Sequence, residues 1–548
     1  VSILSDLKMY ARFAWGLRSF LRETITLEEA EAIVRKRLAE REDNFLRLVE
    51  KGIFGYPRSP YLPLLKLAQV EPGDIQNMVR RKGLEDTLRA LRRAGVYITF
   101  EEFRGRAPVV RDGQVIPIRP TDFDNPYLSH YYQAETGGTT GAGARVNIDL
   151  DRIADTAANH LLSWDAHGIV GVPTAIWHSI LPDSSGVSII LGAARFGQVP
   201  RKWFSVFSSR ELRPSLKYSL ATRFFVAMGR LYGVPVPWPE RLPLSEAATI
   251  ARWAAKTVQT HGKCVIRGAA SRSLRVCLAA REEGLDLTGV IFTAGGEPLT
   301  EAKARQIALS GARAIPNYYF TEVGLVGMGC AHPLGNNDQH LCKDVLALIQ
   351  CPRLLPGSGI TVESFYFTTL LATTPKLLLN LEIDDYGIFE RRSCGCPLES
   401  YGFTEHIRDI RSFGKLTGEG VTLVGSEMIQ ILEELLPARY GGSPLDYQLM
   451  EEEDEQGFTR LSLIVSPRIE LADEQAVVQT VLEALGRSSV AADQARVIWR
   501  QAKTLRVKRM EPIWTARGKL MPLHLARRSP SSAESSRGSG LVSTMQKE

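Results

Sequence analysis

The chain has 548 residues, 44% of them hydrophobic and 23% charged, with a net charge of +6. That length exceeds one small core, so two or more domains are expected, and the balance is that of a soluble globular protein with no special argument for nucleic acid. No apolar run nears the roughly 20 residues that span a bilayer, and seven cysteines, an odd number, argue against a disulfide framework and for a reducing compartment, the cytoplasm.

No secretory signal is read at the N-terminus. The stretch Lys8-Met9-Tyr10-Ala11-Arg12-Phe13-Ala14-Trp15 is aromatic and basic. A helix packed on the main body is expected there in preference to a membrane-surface helix. Residues 1–105 read as helical. Thr26 and Glu29 form a capping-box start, Asp74 is expected to cap a further helix, and Gly83 and Gly95 punctuate the chain after it. From about 106 to 410 short apolar runs alternate with amphipathic stretches, which predicts a multi-layer α/β core. Gly186–Gly192 and Thr288–Ala294 read as buried strands, Pro298–Ser310 as a helix and Ala312–Pro316 as the next strand. Residues 411–528 read as a small α+β domain with a strand at Leu461–Val465 and a helix at Asp473–Leu485, and the serine-rich 529–548 as a disordered tail.

The loop Thr136-Gly137-Gly138-Thr139-Thr140-Gly141-Ala142-Gly143 carries almost no side-chain bulk. Glycine packs nothing, but it lets backbone N–H groups and hydroxyls close around an anion such as phosphate. The P-loop pattern fails because Ala144 stands where lysine is required, and the dinucleotide pattern fails at Val146. A flexible surface turn is the other reading.

Three later segments share this ambiguity. Thr293-Ala294-Gly295-Gly296-Glu297-Pro298-Leu299 ends a predicted strand, where paired glycines admit a flat ring or simply turn the chain. Asn317-Tyr318-Tyr319-Phe320-Thr321-Glu322-Val323-Gly324 offers an aromatic face, a hydroxyl and a carboxylate at the strand end where open α/β sheets bind ligands; a packed aromatic turn is the alternative. Lys519, after Arg517-Gly518, is either a mobile cation or a solvated one. The close pair Cys394-Gly395-Cys396, with Cys330, His332, His340 and Cys342 upstream, holds enough soft donors to close a tetrahedral Zn2+ site; simple reduced thiols are the other reading.

The order of these segments resembles the adenylate-forming (acyl-activating, AMP-binding) enzymes, within them the phenylacetate–CoA ligase-like branch, over about Gln133 to Leu520. The resemblance implies attack of a carboxylate on the α-phosphate of ATP, giving an acyl-adenylate and pyrophosphate, then acyl transfer to a thiol. An acid–thiol ligase using CoA is the first expectation; transfer to a carrier or partner protein, and a nucleotide-binding member without turnover, are the alternatives. Carried over, Thr136, Gly137, Gly138, Thr139, Thr140 and Gly141 cradle phosphates. Gly296, Glu297 and Pro298 line the adenine, Tyr318 stacks on it and Thr321 meets the α-phosphate. Glu322 helps hold Mg2+, Asp385 binds the ribose, Arg411 lies near the hinge and Lys519 bridges carboxylate and α-phosphate. Cys330, His340, Cys394 and Cys396 match a zinc set in some relatives. The expected partners are a small carboxylic acid and CoA or a carrier protein, with a homodimer admitted and neither nucleic acid nor a transmembrane segment expected.

This chain departs from the family pattern in places. Gly143-Ala144-Arg145 follows the loop in place of a Pro-Lys pair, and Tyr319 replaces a glycine and crowds the nucleotide. The ribose aspartate sits in Leu381-Glu382-Ile383-Asp384-Asp385, and the hinge reads Asp409-Ile410-Arg411-Ser412. Between Arg496 and Arg528 there are ten Lys/Arg and one acid, Glu511. A basic lid over ATP or CoA phosphates accounts for these charges better than nucleic-acid binding. The acyl pocket is expected between sheet ends near Trp177, His178 and Gly295, with His178 itself read as packed.

Overall fold

A computed structural model of the chain describes residues 3–525 apart from 129–130, 136–144, 182, 208–215, 321, 355–360, 413–414, 420, 425–427, 429, 486–489 and 515–522. The serine-rich 529–548, expected to be disordered, lies outside the described residues.

The first hundred residues form helices Ile3–Arg22, Leu27–Ala39, Arg41–Leu48, Tyr61–Leu67, Pro72–Lys82 and Leu84–Arg93. Thr26 caps the second of these reciprocally with Glu29, whose N–H donates to the threonine hydroxyl at 3.2 Å while Glu29 Oε2 accepts from Thr26 N–H at 2.8 Å. Asp74 is not the cap expected of it. Pro72 starts that helix one turn earlier, Glu71 is the cap, and Asp74 sits in the first turn accepting the Glu71 N–H at 2.9 Å. Along the first helix Phe13, Leu17, Phe20 and Leu21 are buried while Trp15 is exposed, so the aromatic-basic stretch belongs to a helix packed on the body.

Twelve of the described strands make one sheet. In spatial order they are Leu346–Leu354, Thr361–Thr369, Leu381–Arg391, Glu405–Ser412, Gln339–Leu341, Gly324–Gly329, Arg313–Phe320, Val290–Gly295, Cys264–Ala269, Thr174–Trp177, Lys202–Ser205 and Pro239–Arg241. From Arg313–Phe320 to Pro239–Arg241 every neighbour is parallel; on the other side of Arg313–Phe320 every neighbour is antiparallel. The N-terminal helices bury Val34, Phe45, Leu64 and Leu88 in one core with the antiparallel half. The parallel half shares its core with the Ala247–His261 and Ala270–Glu282 helices and with apolar residues after Met428.

The strands expected at Thr288–Ala294 and Ala312–Pro316 are present as Val290–Gly295 and Arg313–Phe320, paired in parallel, with the helix Glu301–Ala308 between them. Gly186–Gly192, read as a buried strand, is instead part of the helix Ser185–Ala194. A short apolar run buried on most sides has no period that separates strand from helix. Asp183 Oδ1 accepts the Ser185 N–H at 2.8 Å and starts the helix. Gly186 lets it press on the sheet, because a Cβ there would lie 2.7 Å from Ser179 O and 2.8 Å from the Trp203 ring.

A second, four-stranded sheet runs Leu505–Arg509, Thr459–Val465, Tyr447–Glu453, Leu523–Leu525, with helices Glu474–Leu485 and Val490–Ala502. Its basic residues are largely answered: Lys508 and Arg506 by Glu452, Arg460 by Asp454, and Arg496 by Asp493. Among the described residues no helix is long and apolar enough to cross a membrane.

Candidate functional site

Four neighbouring parallel strands end around one cavity of about 370 Å³, whose wall includes His178, Arg267, Gly268, Gly295, Gly296 and Tyr319. The carboxyl ends of parallel strands are where open α/β sheets bind ligands. His178, read as packed, is on this wall, its Nδ1 3.1 Å from Ser185 Oγ. Burial first, and then the positive Arg272 and Arg267, hold its pKa well below the usual value, so the ring is neutral. His160, on the Leu150–Ala166 helix, is pushed down to about 3 by burial, Arg267 and Arg152.

Gly295 meets Tyr319 on this wall. A Cβ on Gly295 would stand 3.1 Å from the Tyr319 ring, tighter than an ordinary contact, so glycine gives that ring room. Tyr319 also stacks on His160, with ring centroids 6.1 Å apart and 27° between planes. Glu297 turns its side chain away from the cavity. Its carboxylate is fully buried, 2.9 Å from Lys303 Nζ, and it accepts from Ser271 N–H and Oγ at 2.7 Å each. It therefore fixes the turn that carries Gly295, Gly296 and Pro298 and does not itself line the space.

Tyr318 and Asp385, 67 residues apart, are brought together: the Tyr318 hydroxyl donates to Asp385 Oδ2 at 2.6 Å. Burial, then the adjacent carboxylate, hold that phenol protonated. Ser412 donates to the other oxygen of Asp385. Asp384, its neighbour, has φ of 66° and lies 3.4 Å from Arg353, facing elsewhere. Arg411 stands opposite Tyr386 in the adjoining strand and is exposed.

Glu322 follows that strand, and its side chain is 1% exposed. Its Oε1 is 2.9 Å from the Arg104 guanidinium, which arrives from the helical N-terminal region and rests over the Phe100 and Phe103 rings at 5.1 and 5.5 Å. A Mg2+ ligand needs a free hard oxygen. With Arg104 in place Glu322 does not fit that role, and no chemical step is assigned to Mg2+.

Cys330, His340, Cys394 and Cys396, the set expected from the sequence, have ligand atoms all within 4.8 Å of one another. His340 Nδ1 donates to Phe403 O at 2.7 Å, which leaves the Nε2 lone pair facing Cys396 Sγ at 3.1 Å and Cys394 Sγ at 3.7 Å. Cys330 hydrogen-bonds Cys396 and draws that thiol far below its usual range, with His340 adding to the effect, while Cys330 itself is driven up. Cys394 and Gly395 donate their N–H groups to Glu399 Oε2 at 2.9 and 2.7 Å, which shapes the tight Cys-x-Cys turn. Three sulfurs and one oriented imidazole gathered this closely are a donor set that structural zinc uses. His332 lies at its edge, bonded to Cys394 O at 3.2 Å, and Cys342 is buried.

Among solved structures, the chain is similar to 2-hydroxyisobutyryl-CoA ligase in complex with 2-HIB-AMP and CoA in its thioesterification state, at 16% identity and a TM-score of 0.54, over 92% of this chain and 91% of that one. It has the fold of the adenylate-forming enzymes. The same ligase in its postadenylation state, with R3-HIB-AMP, matches over the same shares at 17% identity and a TM-score of 0.45. No protein-family model matches the chain, and no curated protein matches it.

In this adenylate-forming fold several expected site residues, namely Thr136, Gly137, Gly138, Thr139, Thr140, Gly141, Thr321 and Lys519, lie outside the described residues. Arg104, Arg267, Arg272 and His160 are the site residues that sequence reasoning missed. Arg267 carried a signal: it is a lone charge inside the strand Cys264–Ala269, whose residues are all buried. Arg104 carried none, because its partner is 218 positions away and only packing joins them.

Proposed function

We propose that the chain activates a small carboxylic acid as its acyl-adenylate, releasing pyrophosphate from ATP, and passes the acyl group to a thiol, CoA in the first instance. One observation carries this reading. The Gly295–Gly296 turn and the Tyr318–Asp385 pair, read separately as nucleotide elements, stand at the ends of adjacent parallel strands beside a cavity able to take the acid.

In this reading the Gly295–Pro298 turn, held by Glu297 on Ser271 and Lys303, and Tyr318 flank the adenine. Asp385, oriented by Tyr318 and Ser412, accepts from the ribose hydroxyls. Thr136, Thr139 and Thr140 with their glycines cradle the β- and γ-phosphates, and Thr321 meets the α-phosphate. The residues after Ser412 serve as a lid that brings Lys519 to the reacting carboxylate, with Arg411 near the turning point. In-line displacement at phosphorus asks the protein mainly for positioning and charge neutralisation, which these groups supply. Cys330, His340, Cys394 and Cys396 would hold a zinc ion that staples the strand ends together and takes no part in the chemistry. The seven free thiols suit a reducing compartment, the cytoplasm. A homodimer gains nothing from this geometry.

The test is pyrophosphate release from ATP with a panel of carboxylic acids, then discharge of the adenylate with CoA. Acid-dependent release with CoA-dependent discharge supports the reading. Discharge only to a carrier protein moves the acceptor. ATP binding with no pyrophosphate from any acid supports a nucleotide-binding protein without turnover.

A further inference from the structure

We propose that the acid taken by this chain is a short one bearing a second anionic group, and that Arg267 and Arg272 bind that group. The inference rests on the acyl-activating reading and narrows its substrate.

The cavity wall holds three guanidiniums, those of Arg152, which gives Nη2 to Val323 O, Arg267 and Arg272, and among the described residues none is in an ion pair. Arg267 is 6% exposed and Arg272 5%. Arg267 lies near the Tyr319 hydroxyl and stands 5.6 Å from the centre of the Trp164 ring, neither of which carries negative charge. Arg272, on the first turn of the Ala270–Glu282 helix, gives Nη1 to Trp177 O at 2.8 Å, and its Nε is buried with no hydrogen-bond partner. Among the described residues neither makes an ion pair. Burial weakens the hold of both on their protons, which marks how little compensation each has.

The acids on the same wall do not supply it. Asp149 caps the Leu150–Ala166 helix through the Asp151 N–H at 2.9 Å. Asp183 is the carboxylate whose field Arg272 feels most, but it accepts the Ser185 N–H at 2.8 Å and is raised by burial, towards its neutral form. His160 and His178 are held neutral. Buried guanidiniums without an ion-pair partner are costly unless an anion completes the site. Arginine's planar fork suits a carboxylate in two-point contact.

Position separates this anion from the one that reacts. Arg267 is in register with Thr293 and Ile176, two residues below Gly295 along the sheet. Arg267 and Arg272 both act on His178, which follows the strand Thr174–Trp177, and two strands lie between that strand and Arg313–Phe320, which carries Tyr318. The reacting carboxylate belongs at the nucleotide edge, where Lys519 is assigned. The acid is short because the cavity, about 370 Å³, is shared with the Gly295–Gly296 edge and Tyr319 on the nucleotide side.

The experiment uses the full chain with ATP and Mg2+ and matched acids: malonate against propionate, succinate against butyrate, glutarate against valerate, with hexanoate and phenylacetate as long and aromatic probes. At least one diacid is expected to exceed its monoacid partner in kcat/KM for pyrophosphate release by about 100-fold or more, since a site built to bind a polar group rejects the analogue lacking it. Arg272→Met and Arg267→Gln are expected to cut that ratio at least tenfold, and Arg272→Lys to restore part of it. Preference for a monoacid, hexanoate or phenylacetate overturns the inference while leaving acyl activation intact. Variants that raise the KM for ATP equally with either acid also overturn it, because the arginines would then serve nucleotide phosphates. Should no acid release pyrophosphate, acyl activation fails, and thermal shift without ATP still decides the site: a diacid that raises Tm where its monoacid does not supports it, and equal shifts sink it.

Discussion

Arg104 Nη2 lies 2.9 Å from Glu322 Oε1 with both side chains largely buried, and it ties the helical N-terminal region to the residue that the family pattern places at the reacting phosphates. Removing one partner of a buried pair strands the other charge and costs about 3–5 kcal/mol. Arg104→Met is therefore expected to lower the unfolding free energy by roughly 3 kcal/mol. Arg104→Met with Glu322→Gln should lose less than the sum of the two single changes by about 1 kcal/mol or more. Urea unfolding of the four proteins checks this, and simple additivity would show the pair to be energetically idle.

Tyr318 orients Asp385 through one hydrogen bond to a carboxylate. Such a bond is worth about 1.5–3 kcal/mol. Tyr318→Phe keeps the ring and removes the donor, so the KM for ATP should rise about tenfold while kcat changes little. Steady-state kinetics decide it; an unchanged KM would detach Asp385 from nucleotide binding.

The Cys330, His340, Cys394 and Cys396 cluster predicts one zinc per chain. Metal analysis of protein purified without added zinc should find it, and Cys396→Ser should lower both zinc content and Tm. Full occupancy in Cys396→Ser would contradict the assignment.

His160 titrates with a definite sign. Its pKa is lowered from 6.5 to about 3 in the fold, so the unfolded chain takes up a proton there that the native chain refuses. Stability from this group is complete above pH 6.5 and declines as pH falls towards 3. Urea unfolding between pH 7 and pH 5 should show the loss, and His160→Asn should flatten the slope over that window.

Much of this architecture was legible from residues alone. The strands at Val290–Gly295 and Arg313–Phe320 announce themselves by apolar runs, the first stopped by Gly295-Gly296, but the second continues through Asn317–Phe320, past the Pro316 at which its apolar run ends. The Cys/His cluster was legible because Cys394 and Cys396 are nearly adjacent and few other soft donors exist. Gly186–Gly192 was misread because burial on several sides erases the period that separates a helix from a strand. Asp74 was displaced from its cap by Pro72, which fits the first helical position and sets the start one turn earlier. The Arg104–Glu322 pair and the inward turn of Glu297 were not legible at all, since packing between distant segments fixes both. Arg267 was legible in principle: a guanidinium has no reason to sit inside a buried strand unless something there answers its charge.

The most direct measurement is release of pyrophosphate from ATP by the purified chain given a pooled acid library, with hydroxylamine to trap the acyl group. Acid-dependent pyrophosphate with a matching hydroxamate, both abolished in Lys519→Ala while the fold persists, is the expected result. ATP bound in the cleft with neither product from any acid would contradict the account.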